Sequence, residues 1–354
     1  MSGRCPVCGR SWPNATVCPA DGVALVATEA PAPTTTSSFA RPSARTPIVP
    51  DQILDQRYRV QRRVGEGGMS VVYLAVDIVT GERVAVKALS AELSSDGTAM
   101  ARLKREARLG ERLRHPCACS IMALGETADG LMYVVMPFLD GEILCDRTAR
   151  LRHIPLADTV MLVRDIADGL HAAHSVGIIH RDLKPENVMV CARAGGGERA
   201  VVMDFGLAKQ HRAGPDVEKL TATGVVLGTP EFMSPEQLRG RPLDARTDIY
   251  SLSVMTFEML TGVLPFIGRT KQDTMLARLQ GEAQRLRQVR PELNFPEAVE
   301  GVLAKGMARD RNKRYRTAPE FATALINAVS GRSDESEKAE ASSGGAPWWK
   351  RLFQ

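Results

Sequence analysis

No run of apolar residues approaches the roughly 18–20 needed to cross a bilayer. The first residues carry cysteines and prolines where a secretory leader would carry a basic and then an apolar stretch, so no secretion signal is read there. Dense Lys/Arg runs are missing, and a net charge of +5 over 354 residues is mild. Neither nucleic acid nor an anionic membrane surface is therefore expected as a partner. No internal repeat marks a solenoid or propeller. The seven cysteines (Cys5, Cys8, Cys18, Cys117, Cys119, Cys145 and Cys191) are odd in number and scattered, which is not the pattern of a disulfide framework. A reducing, cytoplasmic compartment is the expectation.

What is present divides by composition. Hydrophobic residues at 44% and charged residues at 25% are the proportions of a globular chain. Residues 1–26 are punctuated by Cys, Pro and Gly. Residues 27–53 are rich in Pro, Thr and Ser and have too little apolar surface to offset the entropy of ordering, so a flexible linker is expected. Dense globular patterning runs from 54 to 330, and 331–354 is a linker-like tail ending in PWWKRLFQ.

Within the globular part, YRVQRRVG, VVYLAVD, RVAVKAL and LMYVVMPF are short Val- and Tyr-rich runs that read as strands. Between the third and fourth, TAMARLKREARLGERLR has helical apolar spacing at Met100, Leu103, Ala107 and Leu109. Long helical patterns then cover 156–175, 246–261, 270–281, 296–307 and 317–329. A β-rich lobe at 54–139 and a helical lobe at 140–330, with a cleft between them, is the expected α+β architecture.

An ordered series of motifs carries the chemistry. GEGGMSVV (65–72) links two strands, VAVK (84–87) follows, and Glu106 lies on the next helix. HRDLKPEN spans 180–187, DFG 204–206 and SPE 234–236. In this order the set resembles a serine/threonine protein kinase, and its wording is similar to the bacterial eukaryotic-like (Hanks-type) kinases over 58–329.

That resemblance implies the two-lobed protein kinase fold, ATP with Mg²⁺ or Mn²⁺ as cofactors, and Ser/Thr hydroxyls of proteins as acceptors. The loop of Gly65, Glu66, Gly67, Gly68, Met69 and Ser70 would bring backbone N–H groups to the phosphates. Ser70 stands where the family has a third glycine. Lys87 would hold the α- and β-phosphates, oriented by Glu106. Asp182 would take or orient the proton of the attacking hydroxyl, with Lys184 steadying the transferring phosphate. Asn187 and Asp204 offer the hard oxygen ligands Mg²⁺ prefers. Val72 and Ala85 would cover one face of the adenine and Met189 the other, with Met136 at the back. Pro137 has no N–H but keeps its carbonyl, and Leu139 supplies a donor.

By the same resemblance, 207–228 would be an activation loop with Thr221 and Thr223 as candidate phosphosites, whose phosphate Arg181 would pair with. Glu236 and Arg314 would form an anchoring ion pair, and Asp248 would bond the catalytic-loop backbone. His180 is expected to pack and hydrogen-bond, and no role is read for the other histidines. Gly110, inside the helix that carries Glu106, weakens it, so that helix is expected to be easily displaced and to serve as a control point.

The complete set Lys87, Glu106, Asp182, Asn187 and Asp204 speaks against a catalytically silent scaffold that recruits partners through this fold. The GTPEFMSPEQ segment speaks against a small-molecule phosphotransferase.

At the N-terminus, Cys5 and Cys8 form a C-x-x-C pair, and Cys18 with Asp21 repeats the spacing with a carboxylate in fourth place. The pattern resembles a small zinc ribbon. A redox-sensitive thiol group, or neither role, stays open beside zinc. That motif is a candidate docking element for a partner, and for the PWWKRLFQ tail a membrane-interface anchor, a partner anchor and docking onto the chain's own kinase domain all stay open.

Overall fold

The computed structural model describes residues 48–67, 70–90, 97–193, 195–205 and 230–331, together with short pieces before residue 28 (2–4, 11–13, 16–17, 23–24 and 26–27). Those pieces include three short strands, β1 (Ser2–Arg4), β2 (Ser11–Pro13) and β3 (Val26–Ala27), paired in the order β2-β1-β3. Cys5, Cys8, Cys18 and Asp21 lie outside the described residues.

A six-stranded antiparallel sheet forms the small lobe: β4 (Ile53–Leu54), β5 (Tyr58–Gly67), β6 (Ser70–Asp77), β7 (Arg83–Leu89), β8 (Ala123–Glu126) and β9 (Met132–Pro137), in the order β4-β5-β6-β7-β9-β8. The two-residue alternation of β7 assigns its residues. Val84, Val86 and Ala88 join Val60, Tyr133 and Val135 in the lobe's core. Ala85 and Lys87 stand on the opposite face. The order begins before the expected boundary at 54, because Ile48 is 4% exposed and packs in the same cluster.

Helix α1 (Gly97–Gly110) buries Leu103 and Ala107, as its apolar spacing requires. It stops at Gly110, four residues short of the expected helical run. A Cβ at Gly110 would sit 2.6 Å from Ile121 Cδ1. The glycine therefore admits the close approach of the segment leading to β8, a packing role in addition to its low helix propensity.

The large lobe is helical: α2 (Leu144–Leu151), α3 (Leu156–Ser175), α4 (Pro235–Leu238), α5 (Arg246–Thr261), α6 (Lys271–Gln280), α7 (Leu286–Val289), α8 (Glu297–Gly306) and α9 (Ala318–Ser330). The long α3, α5, α6, α8 and α9 fall within a residue or two of the spans read from periodicity. A small sheet not legible beforehand, β10 (Gly141–Ile143), β11 (Val188–Ala192) and β12 (Glu198–Val202), flanks them.

Helix α5 is buried nearly all round. Its Ser253, Thr256 and Thr261 hydroxyls donate to the carbonyls four residues back, which satisfies them without water. Gly262 ends it at φ +75°, where a Cβ would collide with the Arg152 carbonyl oxygen. No helix among the described residues is long and apolar enough to cross a membrane.

Candidate active site

The loop between α3 and β11 is held from below by one buried carboxylate. Asp248, on α5 and fully buried, accepts the His180 backbone N–H at 2.8 Å and the Arg181 N–H at 2.9 Å. His174 Nε2 lies 2.7 Å from the same carboxylate. Burial alone would push the Asp248 carboxyl up, but the His174 ring and the His180 groups outweigh it and hold it below the usual carboxylate range. The sequence assigned no role to His174. It lies four residues beyond Leu170 and eight beyond Ile166, on the buried stripe of α3. A polar residue on that stripe was the one available sign.

His180 is itself buried and packs its ring against Phe205 at 5.1 Å. Its Nε2 is 2.8 Å from the Met203 carbonyl, and the Asp182 N–H points at its Nδ1 from 3.3 Å. Both contacts are satisfied when Nε2 carries the proton. His180 is thus a scaffold residue, as expected.

These bonds present Asp182. Asn187 Nδ2 donates to the Asp182 carbonyl at 2.7 Å and to its carboxylate at 3.2 Å. Lys184 Nζ is 3.8 Å from the same carboxylate. Across the cleft, Lys87 Nζ meets Asp204 Oδ1 at 2.6 Å. Asp204 adopts a left-handed φ of +55° just before the buried Phe205.

One expected contact is absent. Among the described residues no ion pair joins Lys87 to Glu106. The Lys87 side chain is 11% exposed, and an ammonium that buried requires a carboxylate. Asp204 supplies it, while Glu106 lies 3.6 Å from Arg181 Nη1.

The strands of the glycine-rich hairpin bring their residues together by register. Gly65 pairs with Val72, Gly67 with Ser70, Val72 with Lys87, and Ala85 with Met136. Glu66 lies on β5 in the same ladder, whereas Gly68 and Met69 lie outside the described residues. Pro137 ends β9 opposite Val84. Arg83 straps the Pro137–Leu139 segment, accepting the Phe138 N–H on its carbonyl at 3.4 Å and pairing with Asp140 at 2.9 Å. Met189 sits on β11 opposite Ile143.

Behind Met136 a small cavity is lined by Gly110, Cys119, Ile121, Asp204 and Phe205. Burial, together with the Asp204 charge, pushes the Cys119 thiol up to about 12, so it is a protonated, unreactive lining group.

Glu236 and Arg314 form the expected anchor, bidentate at 2.6 and 2.8 Å and almost fully buried. Thr221 and Thr223 lie outside the described residues.

Known proteins are similar to this chain in sequence and in fold. The family model described as the protein kinase domain matches residues 58–326. A serine/threonine-protein kinase of Myxococcus xanthus, pkn2, is 38% identical over 288 residues, which are 81% of this chain and 34% of its own. The serine/threonine-protein kinase PknB of Mycobacterium leprae is 37% identical over 80% of this chain and 45% of its own. The chain thus spans between a third and a half of the length of these two relatives. The crystal structure of the Mycobacterium tuberculosis PknI kinase domain superposes with a TM-score of 0.64 at 25% identity, over 80% of this chain and all of that one. A match over most of the chain, on a fold whose cleft brings Lys87, Asp182, Asn187 and Asp204 together, means that this chain belongs to the protein kinase family, among the bacterial Hanks-type serine/threonine kinases.

Proposed function

We propose that the chain transfers the γ-phosphate of ATP to Ser and Thr hydroxyls of protein substrates in the cytoplasm. The observation that carries this reading is the fixed Asp182 carboxylate, bridged by Asn187 and faced by Lys184, across the cleft from the Lys87–Asp204 pair.

Asp182 accepts the proton of the attacking hydroxyl, and Lys184 offsets charge on the group in transfer. Lys87 takes the α- and β-phosphates, under the hairpin of Gly65, Glu66, Gly67, Gly68, Met69 and Ser70. Val72, Ala85, Met136 and Met189 bound the adenine, with the Pro137 carbonyl and the Leu139 N–H as its polar contacts. The donor set fits Mg²⁺: Asn187 commits its amide nitrogen to Asp182, which leaves its oxygen available, and Asp204 is 36% exposed. When bound, the ion neutralises phosphate oxygens. The purified protein, given radiolabelled ATP, Mg²⁺ and a generic protein substrate, is expected to label Ser or Thr. No label above an Asp182→Asn control would return the chain to the scaffold reading.

The Glu106–Arg181 contact supplies a means of control. The Arg181 Nε is buried and, among the described residues, has no hydrogen-bond partner. A phosphate on Thr221 or Thr223 would draw that guanidinium away from Glu106 and so favour a contact between Glu106 and Lys87. Mass spectrometry of active protein made in cells without other kinases is expected to find phosphate on one or both threonines. Full activity with both unmodified would refute it.

Cys5, Cys8, Cys18 and Asp21 are proposed as a structural Zn²⁺ site that recruits a partner, on the strength of their spacing. Elemental analysis of the full chain is expected to find one zinc, released by Asp21→Ala. A zinc-free protein would remove the proposal.

A further inference from the structure

Gln237, on the single turn of α4, has an orientation that the chemistry above leaves unexplained. Its amide makes two contacts of opposite sense. Oε1 accepts the Ser234 backbone N–H at 2.9 Å, and Nε2 donates to the Arg181 carbonyl at 2.6 Å. The Ser234 hydroxyl in turn accepts the Gln237 N–H at 3.3 Å, which closes a capping box. Turning the amide over would set oxygen against oxygen at Arg181 and nitrogen against nitrogen at Ser234, so only one orientation satisfies both ends.

The receiving carbonyl belongs to a residue with a strained backbone. Arg181 is a non-glycine residue at φ +64°, a conformation that persists only where its surroundings impose it. Its N–H is held by Asp248 from α5, and its carbonyl is held by Gln237 from α4. The peptide joining Arg181 to Asp182 is thus fixed at its carbonyl by Gln237 alone among the hydrogen bonds described. The residue before Gln237 is Glu236, clamped to Arg314, so the turn that reaches the catalytic loop is itself anchored.

We propose that Gln237 is a positioning residue for phosphoryl transfer: it ties the segment that ends at α4 to the Arg181–Asp182 peptide and so sets the direction of the Asp182 carboxylate. This rests on the kinase reading above. It also explains the residue type. Glutamate completes a capping box equally well, but only the amide has both an acceptor for Ser234 and a donor for Arg181.

Gln237→Glu separates the two roles, because it keeps the box and removes the donor. Gln237→Met, of similar length, removes both and adds no charge. Each variant is expected to lose on the order of 10–100-fold in kcat, the scale of a misplaced catalytic group, with KM for ATP and thermal midpoint within error of the parent. A Gln237→Glu enzyme with kcat within twofold of the parent overturns the proposal, since capping would then be the whole role. So does a loss in kcat matched by an equal loss in ATP affinity or by unfolding in both variants.

A readout independent of turnover guards against failure of the kinase reading itself. Deuterium exchange in peptides covering 178–187 is expected to speed up in Gln237→Glu while 246–261 is unchanged. If the parent transfers no phosphate and that exchange is altered, the kinase reading falls and the positioning contact stands. Unaltered exchange overturns the contact whether or not the parent is active.

Discussion

Asp182→Asn is expected to lower kcat by about 10²–10⁴-fold, the contribution usual for a positioned general base, while ATP affinity changes little. The substitution is isosteric, so the Asn187 Nδ2 bond to the Asp182 carbonyl, made to the backbone at 2.7 Å, survives it. What is lost is the proton acceptor and the negative charge that Lys184 faces at 3.8 Å. On the nucleotide side, Lys87 and Asp204 pair with each other and not with Asp182. A kcat effect without a KM effect for ATP is therefore the signature, read by steady-state kinetics on a generic protein substrate. An equal fall in kcat and in ATP affinity would mean that Asp182 serves to hold the nucleotide site together.

Arg314→Ala is the second large effect, and it concerns stability. The pair with Glu236 is bidentate, with side-chain exposures of 0% and 7%. Arg314 also donates to the carbonyls of Ala308, Arg246 and Arg309. Removing it leaves a buried carboxylate whose remaining side-chain partner is the Thr247 hydroxyl at 2.9 Å. Breaking one side of such a pair costs about 3–5 kcal/mol. At about 2–4 °C per kcal/mol for a domain of this size, the thermal midpoint should fall by roughly 10 °C.

The pH dependence has a definite sign. Burial alone would raise the Glu236 carboxyl, but the Arg314 bonds and the Thr247 hydroxyl outweigh it, so its pKa lies below the usual value. A depressed carboxylate contributes stability above its unfolded pKa of about 4.3 and loses it as pH falls through the lower folded value. The gap between parent and Arg314→Ala is thus expected to be widest near neutrality and to close in acid. A midpoint unchanged at pH 7 would show that the pair adds nothing to folding.

Much of this site was legible in the residues. Helix 156–175 announces itself by its apolar spacing, 246–261 by a long, largely apolar helical run, and RVAVKAL announces a buried strand, because each pattern is local. The short strands Ile53–Leu54 and Gly141–Ile143 have too few residues for a period to show. The contacts that orient the catalytic loop join residues 67, 68 and 56 positions apart: Arg181 to Asp248, His180 to Asp248, and Arg181 to Gln237. No local pattern encodes such pairings, although the roles of Asp248 and of the Glu236–Arg314 anchor followed from family resemblance.

Residue type and order along the chain define the available chemistry: a carboxylate at 182, a cation at 87, hard oxygen donors at 187 and 204, and the elements that carry them. Those are properties of residue type and of spacing along one chain. Tertiary structure alone decided which partner each group takes. Lys87 turns to Asp204 and Glu106 to Arg181, because a buried charge pairs with whatever counter-charge the packing of two lobes brings within reach. Packing likewise converted His174 and Gln237, unremarked in the sequence, into supports of the catalytic loop, because the buried polar groups of that loop must be satisfied by side chains from α3, α4 and α5.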